Sequence, residues 1–119
     1  MVTFNFGYSG DEGVAYQSQL TFPTDVAVDA NGNVFIADFG NFVIRQVTTD
    51  GKIHTYAGNN SNNFSGDGGD PKQASLYQPF GVAVDSSGNL YISEYGDSRI
   101  RKVSGGKIAT LAGNGERAR

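Results

Sequence analysis

The sequence predicts an all-β fold of two like units, each a sheet of four short antiparallel strands, and three observations carry that prediction. The first is an internal repeat. Residues 79–103 laid over residues 23–47, a shift of 56 positions, agree at 12 of 25 places (Pro, Val, Ala, Val, Asp, Gly, Asn, Ile, Gly, Ile, Arg, Val), where unrelated segments would share about one or two. A tandem repeat decides the architecture before any chemistry is considered. The second is the local pattern. Val82-Ala83-Val84, the turn residues Asp85-Ser86-Ser87-Gly88-Asn89, then Leu90-Tyr91-Ile92-Ser93 and the alternating Ile100-Arg101-Lys102-Val103 read as a meander of strands. The third is composition: 17 Gly, 8 Phe and 6 Tyr against only 3 Pro favour many short strands joined by tight turns.

In chain order, residues 1–9 (MVTFNFGYS) carry Phe4, Phe6 and Tyr8 on alternate positions, which would share one face of an extended segment. Ser9-Gly10-Asp11 falls in register with Ser65-Gly66-Asp67, so this start is a connector leading into a unit and not a missing strand. Residues 14–20 and 71–76 are the equivalent approaches to each first strand, and Ala74-Ser75-Leu76 has room for one helical turn. Strands are expected near 25–29, 33–37, 42–48 and 52–57 in the first unit, and near 81–85, 89–93, 98–104 and 107–112 in the second. Gly32, Gly51, Gly88 and Gly106 stand where tight hairpins need positive φ. The first unit with its leading connector occupies 1–58, the second 59–113, and a tail 114–119.

Composition bounds the function. With 38% apolar and 18% charged residues the chain suits a soluble globular protein, and it has no apolar run of the roughly 18 residues that a spanning helix needs. The segment after Met1 lacks the basic start and apolar stretch of a signal peptide; the compartment is left open. Zero cysteine removes disulfides, thiolate nucleophiles and Cys-ligated zinc. A formal charge of −3 disfavours nucleic acid, although Arg99, Arg101, Lys102, Lys107, Arg117 and Arg119 make the last third locally basic.

Pro79-Phe80-Gly81-Val82-Ala83-Val84-Asp85, then Gly88-Asn89-Leu90-Tyr91-Ile92-Ser93-Glu94, then Ile100-Arg101-Lys102-Val103 resembles the NHL repeat, the four-stranded blade of a family of β-propellers. The resemblance covers both units. It implies blades whose first strand lines a central channel and whose fourth lies at the rim, in rings of about six blades. Two blades cannot close a ring, so the resemblance implies assembly with copies of the same chain or a piece of something longer. Three copies would give six blades as a head-to-tail trimer, with a tetramer of eight blades as runner-up. Phe4, Phe6 and Tyr8 are the candidate interface, docked beside the preceding copy's last strand. The two-unit length, a Met inside a connector and the tail Gly115-Glu116-Arg117-Ala118-Arg119 read as an excision, recent or engineered.

Candidate site residues follow from differences and identities between units. Asp38 and Glu94 share one repeat position and Arg45 and Arg101 another; each carboxylate and arginine is expected to form a bidentate pair within its blade. Asp29 and Asp85, each opening a Gly-containing turn, can bond amides two residues on. Phe39, Phe42, Tyr95 and Arg99 lie at the link between second and third strands and are either local packing or a contact patch for a protein, peptide or glycan. No metal site or cofactor is expected: Asp29 to Asn33 and Asp67 to Asp70 only superficially resemble calcium loops, lacking the terminal Glu in the first case. The lone His54 could enter a metal site or Ser-His-Asp triad only where copies meet at a symmetry axis, and its outermost strand is the wrong place for that. Asn59-Asn60-Ser61 and Asn63-Phe64-Ser65 match the glycosylation pattern by chance in an Asn-rich loop. The favoured function is a non-catalytic binding scaffold that assembles with itself. The alternatives implied by the resemblance are a metal-dependent lyase or hydrolase with its site at the channel mouth, and an RNA-binding domain.

Overall fold

A computed structural model of the chain describes residues 7–115. Its strands are β1 (Pro23–Val28), β2 (Val34–Asp38), β3 (Val43–Val47), β4 (Ile53–Ala57), β5 (Pro79–Val84), β6 (Leu90–Glu94), β7 (Arg99–Ser104) and β8 (Lys107–Ala112). They form two four-stranded sheets, β1-β2-β3-β4 and β5-β6-β7-β8, antiparallel throughout. All eight expected strands are present. β1 and β5 begin two residues before the expected starts because Pro23 and Pro79 pair with Asp38 and Glu94 across a bulge. Proline is tolerated as the first residue of a strand, where no ladder donor is needed.

Both sheets carry the same second irregularity, a register shift at Ile44/Arg45 and at Ile100/Arg101. Such bulges re-aim the neighbouring side chains, and the residues beside them, Arg45 and Arg101, have no solvent exposure. The β3–β4 and β7–β8 hairpins differ by one residue, as the repeat arithmetic requires. Gly105 and Gly106, at φ 59° and 77°, make a two-residue turn where the first unit uses Thr49-Asp50-Gly51.

The helical turn expected at Ala74-Ser75-Leu76 lies three residues earlier. A 3-10 turn spans Pro71–Gln73, and Ala74 is already extended. Asp70 caps it by accepting from Lys72 N, and Pro71 presets the first helical φ. Its counterpart is Ala15–Gln17, and a third short turn at Phe39–Asn41 links β2 to β3.

The core lies between the two sheets. Phe35, Ala37, Ile44 and Ala57 of the first meet Val82, Leu90, Ile92, Val103 and Ile108 of the second, with Ala74 and Leu76 of the connector between them. The inner strands touch directly: Thr24 Oγ1 donates to Phe80 O at 2.6 Å, and Asp25 Oδ2 accepts from Val82 N at 2.9 Å. The outward faces are bare by comparison. Val82 is 9% exposed, but Val26, its repeat equivalent on the far side of the first sheet, is 58% exposed and Val28 is 60%. On the far side of the second sheet Leu111 is 57% exposed and Ala112 lies open, whereas the equivalent Ala57 is fully buried. Among the described residues no helix is long and apolar enough to cross a membrane.

Gly58 closes the first sheet at φ 99°, and a Cβ there would stand 2.6 Å from Phe42 O, whereas one at Gly51, φ 82°, would meet nothing within 4 Å. Gly51→Ala is therefore expected to lower stability by about 1 kcal/mol through backbone conformation alone, and Gly58→Ala by about 2 to 4 kcal/mol because a clash is added. Equal losses in denaturant titrations of the two variants would contradict this reading of the turn.

Candidate functional site

Each sheet is organised around a buried guanidinium. Arg45 Nη1 reaches Asp38 Oδ2 at 3.4 Å and Nη2 reaches Asp11 Oδ1 at 3.0 Å, while Ser9 O and Gln19 O accept at 2.8 and 3.1 Å. Arg101 repeats the pattern with Glu94 Oε2 at 2.8 Å, Asp67 Oδ1 at 3.0 Å, Ser65 O at 2.8 Å and Ser75 O at 3.2 Å. Each arginine lies against the carboxylate that ends its own second strand, but not as a bidentate pair. A single oxygen of Asp38 or Glu94 is used, and the second carboxylate comes from the connector. Asp11 and Asp67 escaped the sequence reading, although their shared register with Ser9-Gly10 and Ser65-Gly66 was the available signal.

An aromatic ring lies under each arginine. Tyr8 lies 4.6 Å from the Arg45 guanidinium, and Phe64 lies 3.5 Å from Arg99 and 4.4 Å from Arg101. Tyr8 also donates to Asp11 at 2.8 Å and contacts Thr55. So Tyr8, expected at a docking surface, is engaged within its own sheet; Phe4 and Phe6 lie outside the described residues. Burial raises the Asp11 carboxyl, but hydrogen bonds from Thr55 and Tyr8 and the charge of Arg45 outweigh it, and its pKa falls below the usual value. Asp38 goes the other way, because burial outweighs its bonds to Asn41, Thr21 N and Arg45.

At one end of the sheets the structure assembles a row of rings. Phe39 meets Phe80 edge-on at 5.8 Å, and Phe80 lies 5.5 Å from Tyr95. Tyr95 is 69% exposed and Phe80 45%. Phe80 was not among the expected contacts, since its repeat equivalent is Thr24. Phe42 is half-buried at a left-handed position, φ 61°. Arg99 turns inward to Asp97 Oδ2 at 2.8 Å and Asn114 O at 3.2 Å. Neither belongs to the row.

His54 does not need a second copy to find partners. Its Nε2 lies 3.1 Å from Thr48 Oγ1 and its Nδ1 2.9 Å from Glu12 Oε1, in a groove of about 530 Å³ that Asp70 and Lys72 also line. Within one chain His54 thus lies between a hydroxyl and a carboxylate, a Thr-His-Glu line and not the Ser-His-Asp set expected only between copies. It is not an activated nucleophile. The shortest Thr48 contact is 2.6 Å to Asp50 Oδ1, an acceptor only, so the hydroxyl proton points away from the imidazole. Among the described residues no three acidic or histidine side chains converge as a metal site would need. Asp29 and Asp85 are turn residues as expected, each accepting from two backbone amides at 2.9 Å. Mainly the Asn89 side-chain bond holds the Asp85 carboxyl down to about 2.

The NHL repeat profile matches residues 20–46 and 76–103, the spans that hold β1 to β3 and β5 to β7. This chain belongs to the NHL-repeat family. It is 36% identical over 104 residues to human Teneurin-1 and 38% identical over 103 residues to human Teneurin-4, in each case over 76% of this chain and 4% of the relative. The chain therefore spans a small fraction of the length of the curated relatives it matches. A structural genomics protein of unknown function from Bacteroides thetaiotaomicron superimposes with a TM-score of 0.68 at 27% identity, over 87% of this chain and 25% of that one. The virginiamycin B lyase from Staphylococcus aureus superimposes with a TM-score of 0.54 at 20% identity, over 74% of this chain and 26% of that one, a likeness of fold alone. The two sheets are NHL blades.

Breaking a buried ion centre strands its carboxylates, at a cost of about 3 to 5 kcal/mol. Arg45→Ala is expected to destabilise the protein by that amount, and Asp11→Asn, which leaves a partly exposed neutral acceptor, by about 1 to 2 kcal/mol. Unfolding titrations with both variants near wild type would show that the arginines serve something other than the blade.

Proposed function

We propose that this chain is a non-catalytic β-propeller building block, whose two NHL blades close into a ring with further blades and present the Phe39–Phe80–Tyr95 row at the loop end to a protein, peptide or glycan ligand. The reading rests on the two open faces. What is buried between the blades, Val82 and Leu90 on one side and Ala57 on the other, is exposed in register as Val26 on the first blade and Ala112 on the second. Each open face thus has the shape and apolar character of the surface the other already covers, which is the complementarity of a head-to-tail contact. Three copies supply the six blades common in the family, each copy turned by about 120°.

The connector supports the same arrangement. Residues 71–73 pack on β4 of the preceding blade, with Gly58 N donating to Pro71 O at 2.9 Å, while Gly68 N donates to Ile108 O of their own blade at 2.6 Å. By register Val14 and Tyr16, 43% and 57% exposed, stand ready to meet the β8 strand of a preceding copy in the same way. One observation favours a second source for the missing blades. The curated relatives are far longer than this chain, and neighbouring blades of a longer polypeptide would cover the same faces. An enzymatic role has less support. The lyase neighbour shares fold only, and His54, the sole histidine, sits at the rim far from the inner strands.

Native mass spectrometry at micromolar concentration is expected to give three times the 12.6 kDa chain mass, and the double variant Val26→Glu, Val28→Glu is expected to disperse the assembly. A folded wild-type monomer would overturn self-assembly and leave the longer polypeptide as the source of the missing blades.

A further inference from the structure

Blade two departs from blade one at a buried polar contact that the repeat pattern hides. The carboxylate ending β2, Asp38, accepts from Thr21 N at 2.7 Å, from Asn41 Nδ2 at 2.9 Å and from Arg45. Both of its oxygens have donors. In blade two Glu94 stands for Asp38 and Asp97 for Asn41. Glu94 Oε2 accepts from Arg101 Nη1 at 2.8 Å and from Tyr77 N at 3.3 Å, and Asp97 Oδ2 accepts from Arg99 Nη1 at 2.8 Å. Glu94 Oε1 and Asp97 Oδ1 are both buried with no hydrogen-bond partner. The donor that Asn41 supplies in blade one has become a second acceptor.

Two ionised carboxylates cannot share a buried site without repulsion, and unpartnered buried acceptors are costly to leave unmade. One proton removes both difficulties. We propose that Glu94 keeps its proton in the folded protein at mildly acidic pH and donates it to Asp97 Oδ1, and that its loss as pH rises past neutral loosens the turn carrying Tyr95 so that the aromatic end of the blade responds to pH. The surrounding charges agree. Arg101 and Arg99 of β7 and Asp67 of the connector are the other charged groups gathered here. Two guanidinium groups therefore face three carboxyls, and the proton makes the group neutral. Burial, offset in part by Arg101 and reinforced by Asp97, pushes the Glu94 carboxyl up to about 7.

The native state thus keeps a proton that the unfolded chain has released, between the ordinary carboxyl range and about pH 7. The pair's contribution is complete at acidic pH and is lost as pH rises through that value.

Carbon-13 NMR of the Glu94 side-chain carboxyl in the full chain is expected to titrate with a midpoint near 7; a midpoint in the ordinary carboxyl range of about 4 to 5 would overturn the proposal. Asp97→Asn restores the arrangement of blade one. It is expected to pull the Glu94 midpoint down by at least one pH unit, about tenfold in proton affinity, and to flatten the fall in Tm between about pH 5 and pH 8. Every other titrating group is common to wild type and variant, so the difference between their curves isolates the pair. An Asp97→Asn protein with the wild-type midpoint and slope would refute the shared proton, and so would a Glu94→Gln protein that keeps the wild-type pH slope.

Discussion

The buried guanidinium is the constraint on which the remaining structure depends. Arg45 and Arg101 have no solvent exposure, and a charge in that position is tolerable only if carboxylates and carbonyls surround it. The sheet can provide only one such group, the carboxylate ending its second strand. The others, Asp11 with Ser9 O and Gln19 O, or Asp67 with Ser65 O and Ser75 O, come from the connector. Satisfying the arginine therefore folds the connector back against its own blade. Once there, the connector also touches the outer strand of the blade before it, so an ion centre within one sheet sets the placement of two.

The repeat made the fold legible. Twelve matching positions place every strand within a residue or two, because turn glycines and alternating apolar residues are local signals. What stayed hidden was non-local. The contacts of Asp11 with Arg45 and of Asp67 with Arg101 join residues 34 apart in sequence, and that of Glu12 with His54 residues 42 apart, which no period reports. The helical turn was misplaced because Ala-Ser-Leu has the better helix propensity, while the Asp70 cap and Pro71 decided where a turn could begin. Asp38 and Glu94 were found as arginine partners because they recur. A repeat shows what two blades share and so conceals the unequal surroundings of the two carboxylates, which come from the exchange of Asn41 for Asp97.

The candidate interaction surfaces divide into two kinds. The apolar faces of Val26 and Leu111 are exposed here, and they are of the kind that stacked repeats bury against a neighbour. The row Phe39, Phe80 and Tyr95 is unlike them, since Thr24 replaces Phe80 in the other blade and the row crosses from one blade to the next. A feature that breaks the repeat is the better guide to what distinguishes this chain from other NHL blades, because repeated features belong to the blade itself.

Thr24 and Asp25 clasp the inner strand of the following blade through two side-chain to backbone hydrogen bonds. Their places in the second blade are taken by Phe80 and Gly81, which carry neither hydroxyl nor carboxylate. Whatever blade comes next against the second one therefore meets a seam without that clasp. In the assembly proposed above, the joints would alternate between two strengths, and under tension or dilution it would part between pairs before any pair came open.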